Sequence, residues 1–343
     1  MAEEYMFSVI IPYYNAKDTI ERALDSLTRQ KKYKPKFEVI IVDDNSDEEQ
    51  KCDDIIKKYQ NENFDIRLLT NETGYKGPGP ARQTGIDEAR SAWVTCLDAD
   101  DEFEDNILYE VSQAIVKEKL NKVIWCVFHQ YRDGQRTRMY NKQNSQPWVH
   151  GKYYNKQFLK DNDIRFNLEL YSHEDVCFNQ QIAILWRQDE STIFHLPTPA
   201  YKWNSKENSF TNKWYDSEEF EGVQQGYREY FLKDYLAAVI GTHLNYCKKH
   251  EITKMPLAVI HGFLFGYFYY QGELNRLRNL ASSENKKLMK HYLKDICETF
   301  KINPYMLIES IYGQFRQVYN EARSAAHADF VESQSIRDFI LNL

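Results

Sequence analysis

No segment of this 343-residue sequence is both long enough and apolar enough to cross a bilayer as a helix. The longest apolar run, roughly residues 256–270, carries His261 and two glycines and reads as a buried helix. The opening MAEEYMFSVIIP lacks the basic start and long apolar stretch of a signal peptide. Cysteine is sparse: six residues, with no C-x-x-C pair and no zinc spacing, which excludes a disulfide framework and a zinc module. Several of them sit in apolar runs such as WVTCL and VIWCVF, where a free thiol behaves as a small hydrophobe. A reducing cytoplasm is the expected location, with the inner face of the membrane left open. Positive charge is short as well. The 44 Lys and Arg against 51 Asp and Glu leave a net charge of −7, which argues against a nucleic-acid partner but leaves room for a local basic pocket. Internal repeats and low-complexity linkers are missing, which excludes a solenoid.

What is present is a chain long enough for two domains. Its aromatic share of 15%, with 25 tyrosines, fills core and helix interfaces and can also line a carbohydrate site. The first hundred residues alternate strand and helix patterns. FSVIIP (7–12), FEVIIV (37–42), DIRLL (65–69) and WVTCL (93–97) read as strands. Asn15 is a candidate N-cap for a helix on which Ile20, Ala23, Leu24 and Leu27 share a face, and a second helix runs from about Pro80 to Arg90. This alternation implies βαβ units and a mostly parallel sheet. Further on, KVIWCVF (122–128) predicts a strand, 141–154 a polar loop, and 174–186 a helix. A strand near 191–196 then leads into the loop PAYKWNSKENSFTN. From about Trp214 the pattern is helical, so the expected organisation is an α/β domain over 1–214 and a helical region over 215–343.

In an open α/β sheet, ligands sit beyond the carboxyl ends of the strands. Three of those ends are polar here: Pro12-Tyr13-Tyr14-Asn15, Asp43-Asp44-Asn45-Ser46 and Asp98-Ala99-Asp100-Asp101. Singly, each fits a helix cap or a turn. Together, in this order, they make a site.

The ordered set SVIIPYYN with VDDNSDE, GPGPARQTGIDEA before LDADD, HGKYYNKQFLKDNDIRF, and HEDVCFNQQI before YKWNSKENSFT resembles the GT-A glycosyltransferases of family 2, over about residues 7–211. The resemblance implies a GT-A fold, Rossmann-like with a mostly parallel sheet flanked by helices, and an inverting transfer of sugar from a nucleotide diphosphate. Pro12 and Tyr14 would frame the base and Asn15 would belong to the same nucleotide site. Asp44 would accept a hydrogen bond from a ring N–H, which suits uracil, while Asp43 supports the loop. Asp98 would take the ribose or the metal, Asp100 would hold a divalent cation (Mn²⁺ or Mg²⁺) that neutralises the leaving diphosphate, and Asp101 would start a helix. Arg82 matches an arginine that contacts the nucleotide, and Gly77 and Gly79 allow a tight loop nearby.

Inversion needs a base on the acceptor side. In the family it is the Asp of a Glu-Asp pair at a helix start, here Asp175, with Glu174 shaping the acceptor site. This chain has His173 where the family often has glycine. Lys152 and Trp148 fall in a stretch that resembles a loop folded over the acceptor, and Lys202 and Lys206 in one that closes over the diphosphate. His195 resembles a third metal ligand of some relatives but is left to the core. The resemblance implies a nucleotide-sugar donor, a glycan or lipid-linked acceptor and a role in polysaccharide biosynthesis. For the C-terminal helices, self-association into a homo-oligomer or peripheral membrane contact is expected. Two other readings stay open: a catalytically silent sugar-binding scaffold, and a nucleotidyltransferase, though the latter normally has a glycine-rich loop where this chain has PYYNAKD.

Overall fold

The computed structural model describes residues 5–60, 63–141, 147–205, 233–256, 258–260, 262–263 and 283–307. The chain divides into two compact units, 1–221 and 222–343. The boundary expected near Trp214 lies outside the described residues.

The first unit is built on one nine-stranded sheet. Strands β1 (Tyr5–Tyr13), β2 (Phe37–Asp43), β3 (Phe64–Thr70) and β4 (Ser91–Cys96) form its parallel half, in the order β3-β2-β1-β4. Every residue of β2 is buried, as expected of a strand covered on both faces. Helices α1 (Ile20–Thr28), α2 (Asp53–Lys58) and α3 (Pro78–Glu88) connect these strands. On one face Phe7, Val9, Ile11, Val39 and Ile41 meet Leu24 and Leu27 of α1. On the other, Ile10, Ile40 and Val42 meet Ala81 and Ile86 of α3.

Beyond β4 come β5 (Glu102–Phe103), α4 (Ile107–Glu118), β6 (Val123–Arg132), β7 (Gln135–Tyr140), β8 (Lys152–Asn155), α5 (Lys156–Asp161), α6 (Glu174–Trp186) and β9 (Ile193–Asn204). β8 lies antiparallel between β4 and β6, and β9 runs parallel to β6. β1, β2, β3, β4, β6 and β9 therefore run one way, with β5, β7 and β8 opposed. The sheet is mostly parallel, as the alternating pattern predicts.

Several local expectations need correction. Asn15 does not cap α1; Thr19 holds that position, and the backbone N–H groups of Thr19 and Ile20 donate to the Ala16 carbonyl. Asn15 instead adopts a left-handed backbone (φ 47°) and its side chain exchanges hydrogen bonds with Asp47. The polar loop expected over 141–154 ends early, because Lys152, Tyr153 and Tyr154 form β8. The loop expected from Pro199 is strand as far as Asn204. Pro197 and Pro199 have no N–H to donate, and the β6–β9 ladder shifts register there before resuming from Phe128↔Tyr201 to Tyr131↔Asn204. β7 was not anticipated, although Asp133-Gly134, both at positive φ, closes the β6–β7 hairpin as such dipeptides do.

The described part of the second unit is helical. A π-helical turn (Ala237–Gly241) leads into α7 (Thr242–Lys249), which packs on α8 (Ser283–Phe300). Leu236, Ile240, Leu244, Met289 and Ile296 are buried there. Among the described residues no helix is long and apolar enough to cross a membrane.

Among the described glycines, Gly85 of α3 is the most closely packed. A Cβ there would stand 2.4 Å from Ile10 Cγ2, so the helix rests directly on β1. Overpacking of this kind costs about 1–3 kcal/mol. Gly85→Val is expected to lower stability by that amount in urea unfolding, whereas Gly85→Ala, which adds the Cβ alone, should cost less.

Candidate active site

The polar strand ends meet at the carboxyl rim of the parallel half, where the strand order reverses about β1. Tyr14, just past β1, is 56% exposed and its ring is free for stacking. Pro12 lies partly exposed beside it. Asp43 and Asp44 follow β2 and have separate tasks. Asp43 accepts from the Ser46 backbone N–H (2.9 Å) and from Lys51 Nζ (2.6 Å), which fixes the loop. Asp44, buried, accepts from Asn71 Nδ2 (2.6 Å) and from the backbone N–H of Gly77 (2.7 Å). It thereby ties the β2 end to the N-terminus of α3. Gly77 is the N-cap of that helix at φ 113°, a conformation that favours glycine. Gly79 lies inside α3, where a Cβ would sit 3.0 Å from Glu174 Cβ.

Arg82 is the hub. It projects from α3 and is 4% exposed, so it points into the protein and not to solvent. Its Nη2 donates to Asp98 Oδ1 and its Nη1 to Glu174 Oε1, each at 2.7 Å. These bonds join the end of β4 to the first turn of α6. Burial opposes the charge of Arg82, but the two carboxylates hold its pKa well above the ordinary value. Asp98 is affected in the opposite sense. Burial raises its pKa, yet the Arg82 charge and the hydrogen bond with His150 bring it well below the usual carboxylate range.

His150, which sequence reasoning missed, places Nε2 3.3 Å from Asp98 Oδ2. Its ring stacks on Tyr201 (4.6 Å, 16°) and meets Phe128 edge-on. The Tyr201 hydroxyl accepts from the Asp98 backbone N–H (3.1 Å) and donates to Asp101 Oδ2 (2.7 Å). Asp101 is no helix-start residue. It is 1% exposed, precedes β5, and accepts also from the Asn204 backbone N–H. Burial and the charges of Asp100 and Asp98 push its carboxyl well up. One ligand atom each of Asp98, Asp101 and His150 lie within 4.8 Å of one another. His150 Nδ1 is buried with no hydrogen-bond partner among the described residues. Two carboxylates, one of them driven up by burial and neighbouring negative charge, and an imidazole make a donor set that fits a divalent cation. Asp100 is not in that cluster. It lies partly exposed on the same turn, its carbonyl held by Arg22 and Asn204. His150 opens the HGKYYN stretch, two residues before Lys152, where a histidine beside a glycine is the one local signal of a ligand.

Glu174 and Asp175 open α6, after His173 in a left-handed conformation (φ 58°). Glycine tolerates that backbone better, and burial brings the His173 ring down to about 4. Asp175 is half-buried. Desolvation and the Glu174 charge raise its carboxyl to about 7, against the opposing charges of Arg82 and Lys152. Lys152 is not on a loop. It is a fully buried β8 residue whose ammonium lies 3.9 Å from the centre of the Trp125 ring, with its pKa pushed well down by burial.

The remaining residues are less engaged with this crevice. Trp148 packs against Tyr140 (4.9 Å) and Phe128. Lys202 lies on β9 and pairs with Glu104 Oε2 at 3.3 Å. Lys206 lies outside the described residues. His195 packs edge-on to Trp125 and Trp186.

Comparison with known proteins places these residues in context. Residues 8–172 match the model of glycosyl transferase family 2. The amylovoran biosynthesis glycosyltransferase AmsB of Erwinia amylovora is 42% identical over 108 residues, 32% of this chain and 35% of that protein. The poly(ribitol-phosphate) beta-N-acetylglucosaminyltransferase TarS of Staphylococcus aureus is 28% identical over 210 residues, 58% of this chain and 35% of that protein. The chain thus aligns with about a third of the length of these relatives. Residues 1–349 of TarS, solved in complex with UDP-GlcNAc, superpose with a TM-score of 0.52 over 91% of this chain and 92% of that one at 21% identity, which shows a shared fold.

The raised pKa of Asp175 has a consequence for stability. A carboxyl that ionises near 3.8 when unfolded and near 7 when folded keeps its proton in the native state between those values. Its stabilising contribution is therefore complete below pH 4 and is lost as pH rises to about 7. Thermal unfolding from pH 4 to pH 8 is expected to show Asp175→Asn gaining on the wild type across that window and running parallel above it.

Proposed function

We propose that this chain, whose residues 8–172 match the model of glycosyl transferase family 2, moves a sugar from a uridine diphosphate-sugar to a hydroxyl of a glycan or lipid-linked acceptor, inverting the anomeric carbon. The observation that carries this reading is Asp175. A carboxyl raised to about 7 is matched to take a proton at neutral pH, and the Arg82–Glu174 bridge links its helix to the strand end bearing Asp98. The complex of TarS with UDP-GlcNAc supports a uridine nucleotide as donor and makes N-acetylglucosamine the first sugar to test.

In this reading Tyr14 and Pro12 frame the uracil and Asp44, rigid between Asn71 and Gly77, accepts its ring N–H with a remaining lone pair. Asn15 holds the β1 and β2 ends in register through Asp47. Asp98 is kept ionised by Arg82 and faces the ribose and diphosphate. Asp100 or the Asp98–Asp101–His150 cluster would hold a divalent cation, Mn²⁺ or Mg²⁺, which would supply positive charge to the departing diphosphate. Asp175 removes the acceptor proton as the acceptor oxygen bonds to the anomeric carbon. The bond from that carbon to the diphosphate oxygen breaks on the opposite face. Glu174 is engaged by Arg82 and fixes the base. Lys202 and Trp148 stay at the margin of this scheme.

Two measurements test it. Uridine diphosphate with manganese is expected to raise the wild-type Tm, since a ligand that binds only the native state stabilises it by about 2.7 kcal/mol at a hundred times its Kd. Loss of the manganese-dependent increment in Asp100→Ala assigns the ion to Asp100, and its loss in His150→Ala assigns the ion to the Asp98–Asp101–His150 cluster. Persistence of that increment in either variant removes the residue from the ligand set, and better stabilisation by guanosine diphosphate would overturn the role of Asp44. For the chemical step, wild-type kcat/KM should rise with pH through an inflection near 7. Asp175→Asn should lose that limb and about 10²–10⁴-fold in transfer while donor affinity holds. Full transfer by the folded variant would reject Asp175 as base.

A further inference from the structure

At the opposite ends of the same strands the sequence RQKKYKPK (29–36) sets five cations against no acid in a chain of net charge −7. The segment is held firmly. Tyr33 is buried, with edge contacts to Phe7 (5.4 Å) and Phe37 (6.2 Å). Its carbonyl accepts from Asn63 Nδ2, and the Lys32 backbone N–H donates to Asn106 Oδ1 (2.8 Å). With Tyr33 as the pin, Lys31, Lys32 and Lys34 are all exposed. Lys32 and Lys34 border a groove of about 640 Å³ between this segment and α4. Asp65, the one carboxylate lining it, is already occupied by Lys36 (3.1 Å) and the Tyr5 hydroxyl (2.8 Å). The buried Tyr33 hydroxyl, also in the lining, has no hydrogen-bond partner among the described residues.

We propose that this groove binds an extended, phosphate-bearing polymer. Exposed lysine ammonium groups ranged along one groove suit phosphate oxygens. In an otherwise acidic protein they confine a polyanion to one track. The concave shape suits a chain rather than a flat bilayer, and Val116 is the one strongly exposed aliphatic side chain in the lining. The groove begins where β1 begins and the candidate active site lies where β1 ends. Nine residues at about 3.3 Å each separate them by about 30 Å, a distance that a polymer spans and a small metabolite does not. Identification of this polymer as the acceptor rests on the transfer reaction proposed above. A second foothold would then keep the acceptor near the site between successive additions by raising its effective concentration.

The test uses the full chain and end-labelled long-chain inorganic polyphosphate, titrated by fluorescence anisotropy at rising salt. Wild type is expected to bind with a steep salt dependence. Lys32→Glu with Lys34→Glu should weaken binding about tenfold or more and flatten the salt slope by about 1.4, the share of two phosphate contacts on a single strand. Lys32→Gln with Lys34→Gln controls for local repulsion and should lie between. Unchanged affinity in these variants overturns the proposal. So does equal binding of orthophosphate, which removes the need for a polymer, or binding to phosphatidylglycerol vesicles without binding to polyphosphate, which assigns the surface to a bilayer. Hydrolysis of nucleotide sugar, measured alongside, should be the same in all variants. Its absence from the wild type, with polyphosphate binding intact, would refute the transfer reading and leave the groove standing.

Discussion

The arrangement of the site depends on one buried cation. Arg82 reaches from α3 to a carboxylate at the end of a strand and to another at the start of a helix far along the chain, both at 2.7 Å. Without it two carboxylates would face each other in a largely dehydrated space, and removing one partner of a buried pair typically costs about 3–5 kcal/mol. Such a bridge is weak as a source of net stability, because desolvation offsets most of the attraction. Its value here is geometric. It fixes how α6 sits against β4, and Gly79 permits the close contact of α3 with Glu174 that lets the guanidinium span the gap.

Burial and the charges around each group sort the acids of the crevice. Asp98, in direct contact with Arg82, is held ionised; Asp175, lifted by burial and by the Glu174 charge against the pull of Arg82, reaches about 7; Asp101, buried and crowded by its acidic neighbours, is pushed well up. Three carboxyl groups within one site thus acquire three different proton affinities without any change of residue type. Proximity to a fixed cation, burial and like-charge crowding suffice.

Sequence reasoning recovered the parts of this that are local. Apolar runs such as FEVIIV and WVTCL marked the parallel strands to within one or two residues, and the 174–186 helix was legible from end to end. The polar strand ends marked one rim of the sheet, where the structure brings them together. What stayed hidden was long-range. Nothing in GPGPARQTG reveals that Arg82 turns inward to meet Glu174, 92 positions later. Lys152 looked like a loop lysine because glycine precedes it and charge normally means exposure, yet the Trp125 face and the nearby Asp175 charge accommodate it in the core. His150 gave a readable signal that a neighbouring lysine obscured. The strand beyond Pro199 was obscured by its prolines, which β9 tolerates by shifting register.

The reversed direction of β8 has a further consequence, for how the walls of the crevice are held. Because β8 runs against β4 and β6, its first residues arrive at the same rim as the last residues of the parallel strands. One wall of the crevice is made by short βα turns, each locked to its own strand. The other is made by the incoming stretch before β8, which no ladder on the β3-β2-β1-β4 side constrains. The two halves of the crevice are therefore held by different means, one by the hydrogen-bonding geometry of the parallel ladder and the other by the side-chain contacts of Trp148 and His150.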